Sequence, residues 1–181
     1  MYIAELVKLC EKAWALRALA LIEQGTPIRV AVLAAAAGTT RSSMRPSIQH
    51  LFDLDLLTEN RGHGHPLRPE AVLTSKGKRW ARLAINLEEI LTANEESRLV
   101  RLNWTLPTLR VTHSRVRFVS LREALTPVRD TALSTTLRRL ETTGWIERQV
   151  DTDLRPPLVA YVAVQRGREI ADLLHETVRI S

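Results

Sequence analysis

The sequence predicts a mainly helical chain with small β-hairpins, built as two successive copies of one small domain joined by a helix. Three observations predict it: an internal repeat, apolar residues at helical spacing, and turn residues that punctuate both halves in the same order. Trp14-Ala-Leu-Arg-Ala-Leu19 parallels Trp104-Thr-Leu-Pro-Thr-Leu109 at an offset of 90 residues. Met44, Ile48, Leu51 and Leu57 fall on Leu133, Leu137, Leu140 and Ile146 at an offset of 89. Lys76-Gly-Lys78 falls on Arg166-Gly-Arg168, again at 90. Matches in one order, with a drift of one residue, predict a duplication with domains 1–93 and 94–181.

The second copy is the easier to read. Glu95 to Thr112 has helical composition, with Leu99, Leu102, Leu106 and Leu109 spaced 3, 4 and 3 apart, and Pro107 predicts a kink inside it. Ser120 followed by Glu123 is a capping signal for a short helix to Leu125, and Thr126-Pro-Val128 is a turn. Asp130 is the candidate N-cap of a helix to about Thr143, which Gly144 ends in the left-handed conformation that glycine tolerates. Trp145 to Val150 and Leu158 to Val164 read as strands around the loop Asp151 to Pro157. Gln165 to Arg179 is a closing helix with Ile170, Leu173, Leu174 and Val178 on one side. Three helices, a hairpin and a helix make a winged helix-turn-helix.

The first copy repeats the order. Leu6 to Glu23 reads as one long helix ending near Gly25, Arg29 to Ala37 as the second helix, and Gly38-Thr-Thr as the turn. The third helix is expected over Ser43 to Leu56. With Ser43 as its N-cap, Pro46 falls in the first turn, where its missing amide costs nothing. Leu57 to Arg61 and Ala71 to Leu73 are the wing strands, around Gly62 to Pro69. Lys76 to about Ala93 is a helix leading directly into the second copy.

Charge and cysteine usage narrow the function. The first half carries 12 basic against 9 acidic residues and the second 14 against 11, a net +3 each and +6 in all. A basic balance with pI ≈ 10.2 points to nucleic acid or an anionic surface. The N-terminal stretch carries Glu5 and Glu11 where a secretory signal would be basic and then uninterruptedly apolar, so a cytoplasmic, nucleoid-associated protein is expected. One cysteine, Cys10, excludes an internal disulfide and a cysteine-built zinc site; among Leu6, Leu9, Ala13 and Trp14 it reads as a core residue. No glycine-rich phosphate loop, Ser-His-Asp arrangement or acidic magnesium cluster emerges, so no enzyme and no cofactor are expected. His63 and His65 lack a convincing third ligand, and no metal is expected.

The second copy resembles the HxlR family of bacterial winged-helix regulators. The resemblance runs through Asn103-Trp-Thr-Leu-Pro-Thr-Leu109, Arg117-Phe-Val-Ser-Leu121, Leu133-Ser-Thr-Thr-Leu-Arg-Arg-Leu-Glu141, Gly144-Trp-Ile-Glu-Arg148, Pro157-Leu-Val-Ala-Tyr161 and Arg166-Gly-Arg168. It covers about residues 98–176. Val164 stands where the family usually has Thr, and no Cys precedes Trp104, so a redox switch is not implied. The resemblance implies a dimeric transcription regulator. The first copy resembles winged helices of the MarR and HxlR type only generically.

The residue types for DNA contact lie on the third helices and the wings. Leu133, Leu137 and Leu140 share one face of the helix over 130–143, so Thr131, Ser134 and Thr135 point away from it with Arg138 and Arg139 beside them. Arginine grips guanine or phosphate, and threonine reaches phosphate or a thymine methyl. In the first copy Ser42, Arg45, Gln49 and His50 are expected to point outward, a weaker set that includes Pro46. Arg61 and Arg68 in the first wing, with Arg148 and Arg155 in the second, are candidates for the backbone or the minor groove. The expected function is a sequence-specific regulator of double-stranded DNA, a repressor. Two apolar helix stripes, one with Trp80, Leu83, Leu87 and Leu91, lead to an expected homodimer. A small-molecule effector stays open. The alternatives are a tandem winged-helix scaffold of chromosome segregation or transcription machinery, and a plasmid replication or partition protein.

Overall fold

The structure, a computed structural model, describes residues 3–60, 70–152 and 157–179. The elements in order are α1 (Ile3–Leu9), α2 (Ala15–Glu23), α3 (Val30–Ala36), α4 (Arg41–Asp53), β1 (Leu57–Asn60), β2 (Glu70–Leu73) and α5 (Ser75–Ile90). They continue with α6 (Asn94–Val100), α7 (Thr105–Val111), β3 (Val116–Arg117), α8 (Phe118–Ala124), α9 (Asp130–Thr142), β4 (Ile146–Asp151), β5 (Leu158–Ala163) and α10 (Gln165–Arg179). The fold is mainly helical with small antiparallel hairpins, as the sequence predicts.

By its contacts the chain divides into Glu11–Glu88 and a second unit of Met1–Cys10 with Glu89–Ser181. This division differs from 1–93 and 94–181 at the first ten residues and at residues 89–93. The reason for the first is α1, which packs on α7 and buries Leu6, Val7 and Leu9. In the unit Glu11–Glu88, α2, α3 and α4 pack on one another around Leu19, Leu33, Met44 and Leu51, all fully buried. β1 and β2 pair antiparallel from Leu57↔Leu73 to Asn60↔Glu70. In the other unit α7 packs on α10 and α9, and Leu106, Leu109, Leu121, Leu133, Leu140, Ile170 and Leu174 form the core. Its sheet has the order β3-β5-β4, with Ile146↔Ala163 to Asp151↔Leu158 in register.

Several local expectations are corrected. The helices expected over 6–23 and 95–112 are each two helices. The break precedes Trp14 in one case and Trp104 in the other, and both tryptophans stand at the N-cap with nearly the same backbone (φ −104, ψ 3 and φ −97, ψ −3). Pro107 does not kink anything: it is the third residue of α7, where an amide has no helical acceptor. α4 starts at Arg41 rather than after Ser43, because Thr40 caps it by accepting the Ser43 amide at 3.2 Å. Pro46 therefore sits inside the helix and removes one donor from its ladder. Asp130 is the first residue of α9, not its cap, and Ser120 lies within α8. The helix expected to Ala93 ends at Ile90, and α6 starts anew at Asn94. β3, two residues long, was not anticipated.

The junction from third helix to hairpin to closing helix has the same internal geometry at both places. Asp55 and Gly144 both adopt the left-handed conformation, at φ 56 and φ 70. Thr74 N donates to Leu56 O at 3.1 Å, and Val164 N donates to Trp145 O at 3.0 Å. A Cβ placed on Gly77 would stand 2.0 Å from Leu56 O, and one on Gly167 would stand 2.0 Å from Trp145 O. Each closing helix thus lies against the start of its first wing strand at a distance only glycine permits.

Candidate nucleic-acid interface

α9 is amphipathic because its leucines recur at 133, 137 and 140, and all three are buried along with Thr136. At about 100° per residue, Thr131, Ser134, Thr135, Arg138 and Arg139 fall on the other side, and all five are exposed. The structure brings this predicted set together on one strip. Thr142, which the sequence reading missed, lies on the same strip and is exposed; its position eleven residues after Thr131 is three helical turns on. The hydroxyls of Thr135 and Thr142 donate back to Thr131 O and Arg138 O, each at 2.8 Å, which leaves their oxygens free to accept. Arg138 and Arg139 make no side-chain hydrogen bond or ion pair among the described residues, so their full complement of donors faces water. At the start of the helix Asp130 is held by Arg122 at 3.6 Å.

Arg148 lies in β4, opposite Tyr161 of β5, and is exposed. It stands in the first strand of the second wing, as the sequence predicts. Arg155, Arg61 and Arg68 lie outside the described residues, as do His63 and His65. Among the described residues no group of three His, Cys, Asp or Glu side chains is placed to hold a metal.

α4 supports only part of its predicted set. Ser42, Arg45 and Gln49 are exposed. The Ser42 hydroxyl lies 2.9 Å from Thr40 Oγ1, and Gln49 donates to Asp53 Oδ1 at 3.0 Å, so both are engaged locally. His50 does not point outward: it is buried, on the flank of the seam formed by Met44, Ser47, Ile48 and Leu51. The corresponding position in α9 is Arg139. A guanidinium on a long stem reaches water from that flank, whereas a ring one carbon from the backbone stays on it.

Other readings from sequence have definite outcomes. Cys10 is buried, and burial pushes its thiol up to about 12, so it is a poor nucleophile at neutral pH. Trp145 and Trp80 are buried, while Trp14 and Trp104 are half-buried at the helix breaks. Among the described residues no helix is long and apolar enough to cross a membrane.

With this geometry in place, residues 99–180 are found to match the HxlR-like helix-turn-helix family. The match spans α7 to α10 and contains the whole α9 strip. No curated protein matches the chain. One solved structure, described as a MarR-family transcriptional regulator from Porphyromonas gingivalis W83, is 18% identical over 50% of this chain and 93% of its own, with a TM-score of 0.42.

Proposed function

We propose that the chain is a sequence-specific regulator of transcription that binds double-stranded DNA through α9. The observation that carries this reading is the α9 strip: hydroxyls and unpaired guanidiniums on the third helix of a helix-turn-helix, opposite a leucine seam, inside the segment that matches the HxlR-like family. In that geometry the second helix of the pair enters the major groove, and Arg138 and Arg139 are the side chains able to read guanine edges. Arg148, with Arg155 from the wing, follows the backbone or the minor groove. Repression is the expected direction, since a protein bound on a promoter obstructs polymerase without further contacts.

Residues 1–93 are the second part of the reading, a diverged copy of the same winged helix. The matched Trp14 and Trp104 breaks, the left-handed Asp55 and Gly144, and the crowded Gly77 and Gly167 support duplication. Its Ser42, Arg45 and Gln49, with the wing residues Arg61 and Arg68, position the protein on DNA more than they read it. The stripes behind the expected homodimer are spent within the chain, since Trp80, Leu83 and Leu87 of α5 and Ile170 and Leu174 of α10 are buried, so the homodimer rests on the family resemblance alone; light scattering free of DNA tests it, and a mass of 20.5 kDa instead of twice that refutes it.

Titration of labelled genomic duplexes at several salt concentrations tests the main reading. Each phosphate contact contributes about −0.9 to the slope of log affinity against log salt. Absence of binding to every duplex at low salt overturns the regulator and favours a protein-interaction scaffold.

A further inference from the structure

An open cleft of about 750 Å³ lies within the unit that contains α9. Its floor is apolar, formed by Leu99 near the end of α6 and Leu102 in the turn that follows, together with Trp145. Three guanidiniums stand around it: Arg98 from α6, and Arg138 and Arg139 from α9. None of the three has a side-chain partner among the described residues. Leu102 is 39% exposed, unusual for a leucine beside a buried tryptophan.

The two acids of the cleft do not cancel these charges. Glu96 is committed. It accepts from the Thr92 amide at 2.7 Å and the Ala93 amide at 3.1 Å, and it lies 3.6 Å from Arg166. Burial raises its pKa, but those hydrogen bonds and Arg166 outweigh burial and hold its carboxyl below the usual range. Glu95 is exposed at the rim. Three guanidiniums against two carboxylates leave the cleft with a surplus of positive charge over an apolar floor.

We propose that this cleft binds a small apolar molecule carrying a single anionic head, of the class of a medium-chain carboxylate. The volume is in the range of ordinary small-molecule sites, about 300–1,000 Å³. The tail would cover Leu99, Leu102 and the edge of Trp145, and the carboxylate would accept from Arg98 and from Arg138 or Arg139. Charge selects the head, because a hydroxyl leaves the guanidiniums unpaired. Two of the three guanidiniums also belong to the α9 strip, so occupancy withdraws them from DNA. That second step rests on the function proposed above; the binding step does not.

Calorimetric titration of the full chain with decanoate, without DNA, tests the site. Saturable binding at one molecule per chain is expected, with decanol at least about tenfold weaker, the discrimination of one charge-assisted hydrogen bond. Arg98→Gln and Leu102→Asp lie outside the proposed DNA strip and are exposed enough to fold, which circular dichroism checks. Each should weaken decanoate about tenfold or more. Absence of saturable binding, or equal binding by wild type and both variants, overturns the site. The second arm measures duplex affinity with decanoate present. A fall in wild type that disappears in Leu102→Asp supports competition; decanoate binding without any fall overturns the competition alone.

Discussion

Replacing Arg138 by alanine should cost specific DNA binding more than replacing its counterpart Gln49. Arg138 is exposed at the middle of the α9 strip, with no side-chain partner among the described residues. Removing it therefore leaves the leucine seam intact, and a surface change of this kind shifts stability by about 0.5 kcal/mol or less. A lost bidentate contact to guanine costs about 1–3 kcal/mol, roughly fivefold to 150-fold in affinity. Gln49 begins from a weaker position. Its amide already donates to Asp53, and Pro46 stands beside it where α9 has Thr135. Gln49→Ala should stay within a factor of about three on the same scale. Fluorescence anisotropy on a selected operator and on a scrambled duplex reads both effects. Base reading by Arg138 lowers the ratio of the two affinities. A phosphate contact instead lowers both equally and reduces the salt slope by about 0.9. A loss from Gln49→Ala equal to or greater than that from Arg138→Ala refutes the asymmetry between the two helices.

Three further outcomes follow from the packing and the titrating groups. Gly167→Ala forces a methyl to within 2.0 Å of Trp145 O; overpacking costs of about 1–3 kcal/mol exceed the roughly 1 kcal/mol gained in helix propensity, so thermal denaturation should begin lower, and an unchanged melting temperature refutes the close approach. His113 stacks on His175 at 4.1 Å with Asp172 at 3.1 Å, and burial, then His175 and Arg168, hold its pKa below the usual histidine range despite Asp172. The unfolded chain then binds the proton more readily, so stability is complete above the ordinary histidine pKa and falls as pH drops; urea midpoints between about pH 8 and about pH 5.5 should decline in wild type more than in His113→Gln, and equal declines refute the assignment. Cys10 should react with iodoacetamide at neutral pH far more slowly than the unfolded chain does, and equal rates would contradict its burial.

What the sequence shows of this fold is whatever repeats at a fixed spacing. The seams of α9 and α10, the hairpin of β4 and β5, and the left-handed Gly144 are legible because periodicity and glycine mark them directly. The breaks before Trp14 and Trp104 are not. Leu99, Leu102, Leu106 and Leu109 keep a helical spacing across a turn that interrupts the helix, so the pattern carries no sign of it. The start of α4 is not legible in the sequence, because Thr40, Ser42 and Ser43 can all cap and Pro46 favours the last. The geometry is decided by Thr40 Oγ1 receiving the Ser43 amide. In the site, the α9 strip follows from the leucine seam alone. His50 fails because a flank position is buried or exposed according to side-chain length, which spacing does not encode. The cleft has no signature in the sequence, since α6 and the end of α9 lie far apart along the chain.

If the chain is the duplication proposed above, the positions that set the fold and the positions that face outward are different residues of the repeat, and this separation explains how one copy would lose chemistry that the other keeps. A Cβ added at Gly77 or Gly167 would stand 2.0 Å from the corresponding carbonyl, Leu56 O or Trp145 O, and Met44 and Leu133 are buried at equivalent places. Any change there moves a helix against a strand or opens a cavity, at a cost of a few kcal/mol, a large share of a small domain's stability. The outward positions carry no such constraint. Pro46 in place of Thr135, Gln49 in place of Arg138 and the buried His50 in place of Arg139 remove a hydroxyl and two guanidiniums from the face. They leave Met44, Ile48 and Leu51 still packed. On the proposed function, a helix that retains its seam but lacks those donors would orient the protein on DNA through Arg45 and leave base discrimination to α9. The unequal response predicted for Arg138 and Gln49 on the proposed function is therefore a consequence of where the packing constraints lie.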